Sequence, residues 1–267
     1  MRRPKLRAMQ ERDYQSLLVR QDGHIVTLTF NKPEKKNPLS QEMVNELLWA
    51  LDDAEADASV RVIVLTGAGN AFSAGADLKG MTASRGKLEK KGEFDDLLLR
   101  FDTLEKPIVA RIPGYVMGGA MGIVACCHFA VACESAILAT PEIKRGLFPM
   151  MIMAVLRRVV PSRQLLKLML LGEKISASEA KDMGLVTEVV PDGELDARVE
   201  QLAGRLAKQS PTAMRMGLHA FNEQRKMSVQ EALPFLREQL YALLASEDAK
   251  EGLAAFFEKR EPSWTGR

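Results

Sequence analysis

The stretch VRVIVLTGAGNAFSAGADLKGM, residues 60–81, decides how this chain is read. Its opening, VRVIVLTG, is apolar at consecutive positions rather than at alternate ones, the pattern of a short strand covered on both faces. FSAGAD follows, residues 72–77, with small residues around Gly75 and then an acid. A turn with so little side chain leaves backbone N–H groups uncovered, and uncovered donors in a folded protein need acceptors.

A second stretch repeats the arrangement. KPIVARIPG, residues 106–114, predicts another buried strand closed by Pro-Gly, and the glycines of YVMGGAMG, residues 115–122, predict a turn that opens a helix running on through IVACC. In parallel α/β architectures ligands bind at the carboxyl ends of strands, and helix N-termini add free N–H groups and partial positive charge. Two readings follow from the turns. They let strand and helix pack closely, or they place the N–H of Ala76 and the N–H of Gly119 on one oxygen atom, as an oxyanion hole made only of backbone.

Working outward, HIVTLTF (residues 24–30) puts Val26, Leu28 and Phe30 on one face and Thr27 and Thr29 on the other, a half-buried strand. NKPEKKNP reads as a loop. Ser40 caps a helix to about Ala56, with Met43, Leu47, Leu51 and Ala54 as its apolar stripe. Residues 80–95 show no periodicity and predict a surface loop that shapes the neighbouring pocket. HFAVACESAILAT predicts two short strands joined at Glu134 and Ser135. From Ser162 the pattern is helical, interrupted by one strand in LVTEVVP. The expectation is an α/β core over residues 1–200 and a helical region over residues 201–267.

Composition narrows the class. The 267 residues are 46% hydrophobic and 27% charged with a net charge of +2, which fits a globular enzyme and gives no reason to expect nucleic acid as a partner. The basic start MRRPKLR lacks an apolar run behind it, so neither a signal peptide nor a membrane anchor is expected. Cys126, Cys127 and Cys133 are an odd count in one apolar segment and predict reduced thiols in a cytoplasmic protein. Cys126, Cys127 and His128 are too close in sequence to converge on one ion, so no metal is expected.

Other motifs are weaker. GAGNAF has Phe72 at the third glycine of a dinucleotide fingerprint, and no phosphate-loop lysine pattern occurs. AFSAG is one glycine short of a nucleophile elbow; it makes Ser73 a candidate nucleophile whose base is His128 or His219, the reading of a hydrolase.

AFSAGADLKGM, KPIVARIPGYVMGGAMG and ATPEIKRGLFP together resemble the enoyl-CoA hydratase/isomerase (crotonase) family, as do GEKISASEAKDMGLVTEVVP and EGLAAFFEKREPSW. The resemblance runs from about His24 nearly to the end. It implies the crotonase (ClpP-like) fold, repeated ββα units in two near-perpendicular sheets, with C-terminal helices that assemble trimers or hexamers as dimers of trimers. It implies an acyl-CoA thioester as substrate, so that coenzyme A is part of the substrate and no separate cofactor is needed. Ala76 and Gly119 take the family's oxyanion positions, which hold the thioester carbonyl as it becomes an enolate. Lys35 and Lys36 match the loop along CoA, Ala74, Ala76, Asp77 and Leu78 the segment beside it, and Phe256 and Lys259 the positions that reach CoA bound by a neighbouring subunit. A solvated charged face is the alternative for the lysines.

One departure carries weight. Family hydratases use two glutamates, and the first of those positions is Gly122 here, while the second is Glu142. Family isomerases resemble this chain in keeping only the latter. A single glutamate can take a proton from one carbon and return it to another. The pocket is expected to be apolar, with Met117, Gly122, Met150 and Met151 lining it and Met121 and Met153 nearby, and a dry pocket raises a carboxylate's pKa. The resemblance therefore favours an isomerase. A hydratase or dehydratase for a specialised acyl group and a weakly catalytic acyl-CoA binder are the alternatives.

Overall fold

The computed structural model describes residues 12–77 and 87–267, so Leu78 and the start of the loop expected over residues 80–95 lie outside the described residues. The described chain begins with an antiparallel hairpin, β1 (Leu17–Asp22) and β2 (Ile25–Phe30), turned at Gly23 with φ 53°. In β2 the expected alternation is present: Val26, Leu28 and Phe30 are fully buried. Helix α1 (Gln41–Ala56) is capped by Ser40, whose hydroxyl accepts from the Met43 N–H, and all four residues of its expected stripe are fully buried. Strand β3 (Val62–Gly67) then pairs in parallel with β2 and is buried along its whole length.

After β3 the chain does something that its sequence pattern conceals. It does not turn straight into a helix; it crosses into a second sheet as β4 (Ala71–Ser73) before reaching α2 (Phe94–Thr103). The same step recurs twice. Strand β5 (Ile108–Ile112) is followed by β6 (Tyr115–Met117) and α3 (Gly119–Cys126). Strand β7 (Phe129–Cys133) is followed by β8 (Ile137–Ala139), a 3-10 turn (Pro141–Arg145) and α4 (Met150–Leu156). Each pass adds one strand to each of two sheets and then a helix. The crossings need glycine: a Cβ on Gly67 would lie 2.1 Å from the Ala71 carbonyl oxygen, and one on Gly114 would lie 2.0 Å from that of Asn70.

The rest of the chain is α5 (Ser162–Leu171), β9 (Ile175–Ser176), α6 (Ala177–Asp182), β10 (Glu188–Val190), α7 (Leu195–Ala207), α8 (Pro211–Gln224), α9 (Val229–Leu244) and α10 (Glu247–Glu258). The larger sheet has the order β1-β2-β3-β5-β7-β10 and the smaller one β4-β6-β8-β9. All neighbours are parallel except β1 with β2 and β8 with β9. The ββα repetition implied by the resemblance is thus present. Helix α2 begins at Phe94, inside the segment expected to be a loop; Leu97, Leu98 and Phe101 bury its inner face.

The expected division at residue 200 falls within α7, a continuous helix whose Leu195, Val199 and Ala203 are buried and which packs on β3, β5 and β7. Beyond it, α8 to α10 leave Phe221, Leu233, Tyr241, Phe256 and Phe257 exposed. The three cysteines are free thiols, and burial pushes that of Cys126 up to about 12. Among the described residues no helix is long and apolar enough to cross a membrane, and no group of three or more His, Cys, Asp or Glu could hold a metal.

Candidate active site

The smaller sheet brings the candidate residues together. Ser73 in β4 is in register with Val116 in β6, and Met117 in β6 with Ala139 in β8. These strands run parallel, so the residues just past their ends, 75–77, 118–119 and 140–142, meet at one edge. The turns expected after β3 and β5 in fact follow β4 and β6, a correction with a plain cause: each of these three-residue strands runs directly into the glycine-marked turn and shows no period of its own.

Contact between the turns is direct. A Cβ on Gly75 (φ 86°) would lie 2.6 Å from the Met117 carbonyl oxygen, so only glycine lets the first turn lie against the second. Ser73 is fully buried, and its hydroxyl accepts from the Gly75 N–H at 3.1 Å. Ser73 therefore braces the turn instead of attacking a substrate. His219 faces Glu105, and the His128 Nδ1 accepts from the Ile108 N–H, with burial lowering the His128 pKa to about 4.

The two residues of the second reading, Ala76 and Gly119, line one cavity. Leu39 N–H donates to the Gly75 carbonyl at 2.8 Å and Asp77 N–H to the Leu39 carbonyl at 3.3 Å. This parallel bridge engages the residues on either side of Ala76 and leaves the Ala76 N–H on the opposite side, where Ala76 lines a cavity. Gly119 is the first residue of α3 and lines the same cavity; among the described residues neither amide has an acceptor. Gly118 just before it has φ 54°, and its N–H donates to the Ala139 carbonyl at 2.9 Å, tying the corner to the end of β8.

Glu142 stands on the 3-10 turn after β8 and faces that corner. A Cβ on Gly118 would meet its Oε1 at 2.8 Å, and its Oε2 is buried with no hydrogen-bond partner. Burial pushes the Glu142 carboxyl above the usual range, against a smaller pull downward from its own backbone N–H and from Arg145. The turn is anchored from behind by the fully buried Thr140, whose hydroxyl donates to the Leu168 carbonyl in α5 at 3.0 Å.

The cavity has a volume of about 420 Å³, and its wall is mostly apolar, with Leu39, Val44, Phe94, Phe148, Met150, Met151 and Ile152. Of the residues expected there, Met150 and Met151 are present at a partly exposed rim. Met117 is not part of the lining, and Met121 belongs to the core. Gly122 is buried beneath α4: a Cβ there would lie 2.4 Å from Ile152 Cγ2. Ile152 thus fills the space that a side chain at position 122 would take. Sequence reasoning missed Phe94, Ile152 and two further carboxylates in the lining, Asp77, expected only to lie beside CoA, and Glu93. Glu93 is committed locally, since its side chain closes a capping box with Asp96 at the start of α2 and pairs with Lys90.

Outside the cavity, Lys35 and Lys36 are exposed, and the Lys36 ammonium lies 4.2 Å from the centre of the Tyr115 ring. The exposed Ala74 already donates its N–H to the Lys36 carbonyl at 2.7 Å, and among the described residues its carbonyl has no donor. Phe256 and Lys259 sit exposed at the end of α10, and neither lines the cavity. The buried Asn37, absent from the sequence reading, holds this loop to the sheet crossing by donating to the Ala68 and Ala71 carbonyls at 2.9 and 2.8 Å.

Comparison with known proteins agrees with this geometry. A family profile described as enoyl-CoA hydratase/isomerase matches residues 20–267. An enoyl-CoA hydratase of Mycobacterium tuberculosis is 37% identical over 256 residues, 94% of this chain and 96% of that protein. The 2,3-dehydroadipyl-CoA hydratase of Escherichia coli is 32% identical over 94% of this chain and 99% of that protein. The crystal structure of an enoyl-CoA hydratase from Mycobacterium smegmatis superposes with a TM-score of 0.87 at 33% identity, covering 94% of this chain and 99% of the other. With the strand crossings, the paired turns and the profile all in accord, the chain belongs to the enoyl-CoA hydratase/isomerase family and has the crotonase fold.

Proposed function

We propose that the protein is an enoyl-CoA isomerase in which Glu142 is the only general base and acid. A 3-enoyl thioester enters with its carbonyl oxygen against the Ala76 and Gly119 amides. Glu142 takes a proton from C2, and the C–H electrons move through C1 onto the oxygen, which the two N–H groups stabilise. The carboxyl then returns the proton to C4, the double bond moves from C3–C4 to C2–C3, and the oxygen regains its carbonyl bond. No water is consumed.

One observation carries this reading: Ile152 occupies the space over Gly122, so an apolar branched side chain stands where a second acid would have to hold water. The raised pKa of Glu142 suits a group that must first accept and then donate. A hydratase is the second reading. It is favoured by the relatives, which are named hydratases, and by Glu93, a further carboxylate in the same cavity. A substrate with its own acyl carboxylate fits poorly, because among the described residues the charged side chains that line the cavity are acids, Asp77, Glu93 and Glu142.

The test follows the conjugated-enoyl absorbance with each of two substrates. A gain from a 3-enoyl-CoA that survives Glu93→Gln and vanishes with Glu142→Gln supports isomerisation. Loss of absorbance from a 2-enoyl-CoA that depends on Glu93 overturns it in favour of hydration. The same reading gives CoA phosphates to Lys35 and Lys36, the adjoining backbone of Ala74, Asp77 and Leu78 to the rest of CoA, and Phe256 and Lys259 to a neighbouring subunit's CoA. The exposed apolar side chains of α8 to α10 support a homo-trimer or hexamer, and the free thiols support a cytoplasmic location.

A further inference from the structure

Residues 88–93 cross the outer face of α1 before α2 begins, and three side chains of that helix hold their backbone. The Gln41 amide donates to the Gly92 carbonyl at 2.8 Å, the Asn45 amide to the Glu89 carbonyl at 2.9 Å, and the Trp49 indole N–H to the Glu89 carbonyl at 3.0 Å. Asn45 also accepts from the Lys91 N–H at 2.6 Å and is itself 2% exposed. The three recur every fourth residue and so share one face of α1. Trp49 is flanked by two cations, the Arg12 guanidinium at 4.1 Å and the Lys91 ammonium at 3.8 Å from the ring centre. Gly92 lies close enough that a Cβ there would meet Asp96 Cβ at 2.8 Å and Leu48 Cδ1 at 3.0 Å.

This latch ends at Phe94, the first residue of α2. Its ring lines the cavity and lies against the oxyanion corner: a Cβ on Gly119 would lie 3.3 Å from Phe94 Cζ and 3.3 Å from Leu39 Cδ1. A rigid aromatic wall that close to the thioester position limits how far an acyl chain can extend along that side. We propose that Phe94 is the specificity-determining residue for the acyl group, and that the Gln41–Asn45–Trp49 face of α1 is what positions it. The proposal rests on the cavity being the acyl site and is independent of the direction of proton transfer. A buried asparagine with both side-chain ends satisfied by one peptide segment holds that segment in register, so a shift in the latch moves the wall.

The test uses saturated thioesters, which carry no double bond for the enzyme to shift or hydrate. Calorimetry gives the Kd of free CoA, butanoyl-CoA and dodecanoyl-CoA for each variant. In Phe94→Ala the ratio of the dodecanoyl to the butanoyl Kd is expected to fall about tenfold, the scale of burying two more methylene groups. In Asn45→Ala it is expected to fall by about threefold, and the double variant to match Phe94→Ala alone, because Asn45 acts through Phe94. Circular dichroism monitors folding, and Phe94→Leu, with a smaller fall in the ratio, stands in if Phe94→Ala fails to fold. An unchanged ratio in a folded Phe94 variant overturns the proposal, as does an Asn45→Ala effect that lowers Tm without moving the ratio or that adds to the effect of Phe94→Ala. Equal affinity of the wild type for free CoA and both thioesters removes the acyl site itself, and with it the function proposed above.

Discussion

Glu46 in α1 and Glu142 at the cavity are glutamates withdrawn from water, and burial pushes both above the usual carboxylate range. Their partners differ. Glu46 is 1% exposed and accepts three backbone N–H groups, from Gln15 at 2.7 Å, Ser16 at 2.9 Å and Leu17 at 3.0 Å. It fastens the start of β1 to α1. Among the described residues Glu142 has a buried oxygen with no partner, beside two amides that also lack one. Burial of a carboxylate is therefore a poor guide to its task, and the hydrogen bonds around it separate an anchor from a candidate base.

The largest expected effect breaks the pair on activity. Glu142→Gln should lower kcat for isomerisation by about a thousandfold, the scale of losing a general base, while butanoyl-CoA binding changes by about twofold or less. Retained turnover would remove Glu142 from the mechanism. Glu46→Gln should do the reverse. Its amide can accept on only one side, so at least one N–H is orphaned, at about 1–3 kcal/mol of stability. Chemical denaturation measures that loss, and kcat/KM well below Tm should match the wild type.

Gly122→Ala tests whether the space over Gly122 is closed by Ile152. Pressing a methyl group onto Ile152 should cost about 1–3 kcal/mol, and an unchanged denaturation midpoint would show that the site is open after all. The pH profile sharpens the contrast further. Glu142 must be ionised to take the C2 proton, so kcat/KM should rise with pH through its folded pKa, with the inflection above about 4.3, the value of a free glutamate. An inflection at or below that value speaks against a desolvated base.

The smallest effect is a matter of sign. A carboxyl whose folded pKa is raised contributes stability while it is protonated, and that contribution is lost as pH rises through the folded pKa. At neutral pH Glu142→Gln removes a charge whose desolvation outweighs the pull of its own backbone N–H and of Arg145, so Tm should rise slightly where Glu46→Gln lowers it. Equal shifts in the same direction would erase the distinction drawn between the two residues.

Much of this was legible without coordinates. The apolar run at Val62 and the alternation around Val26 mark strands, Ser40 marks a helix start, and the glycines at 75, 118 and 119 mark turns that had to leave donors uncovered. These signals are local: each depends on a few neighbouring residues and on the backbone's own steric limits. The resemblance to the family likewise picked out Ala76, Gly119 and Glu142, which the fold brings to one cavity. Strands β4, β6 and β9, with three, three and two residues, were invisible because they sit within glycine-rich or polar turn segments, whereas β8 and β10, no longer than three residues, lie in longer apolar runs.

What the chain determined by itself was therefore the kind of local element and the candidates for the chemistry-bearing residues. Tertiary structure alone decided that three short parallel strands end at one edge and so gather those residues. It also decided that Ile152 covers Gly122 and that Phe94, held by a face of α1, walls the cavity. Such contacts join residues tens of positions apart, and their energy comes from which surfaces meet once the sheets have stacked, information that no window of neighbouring residues contains.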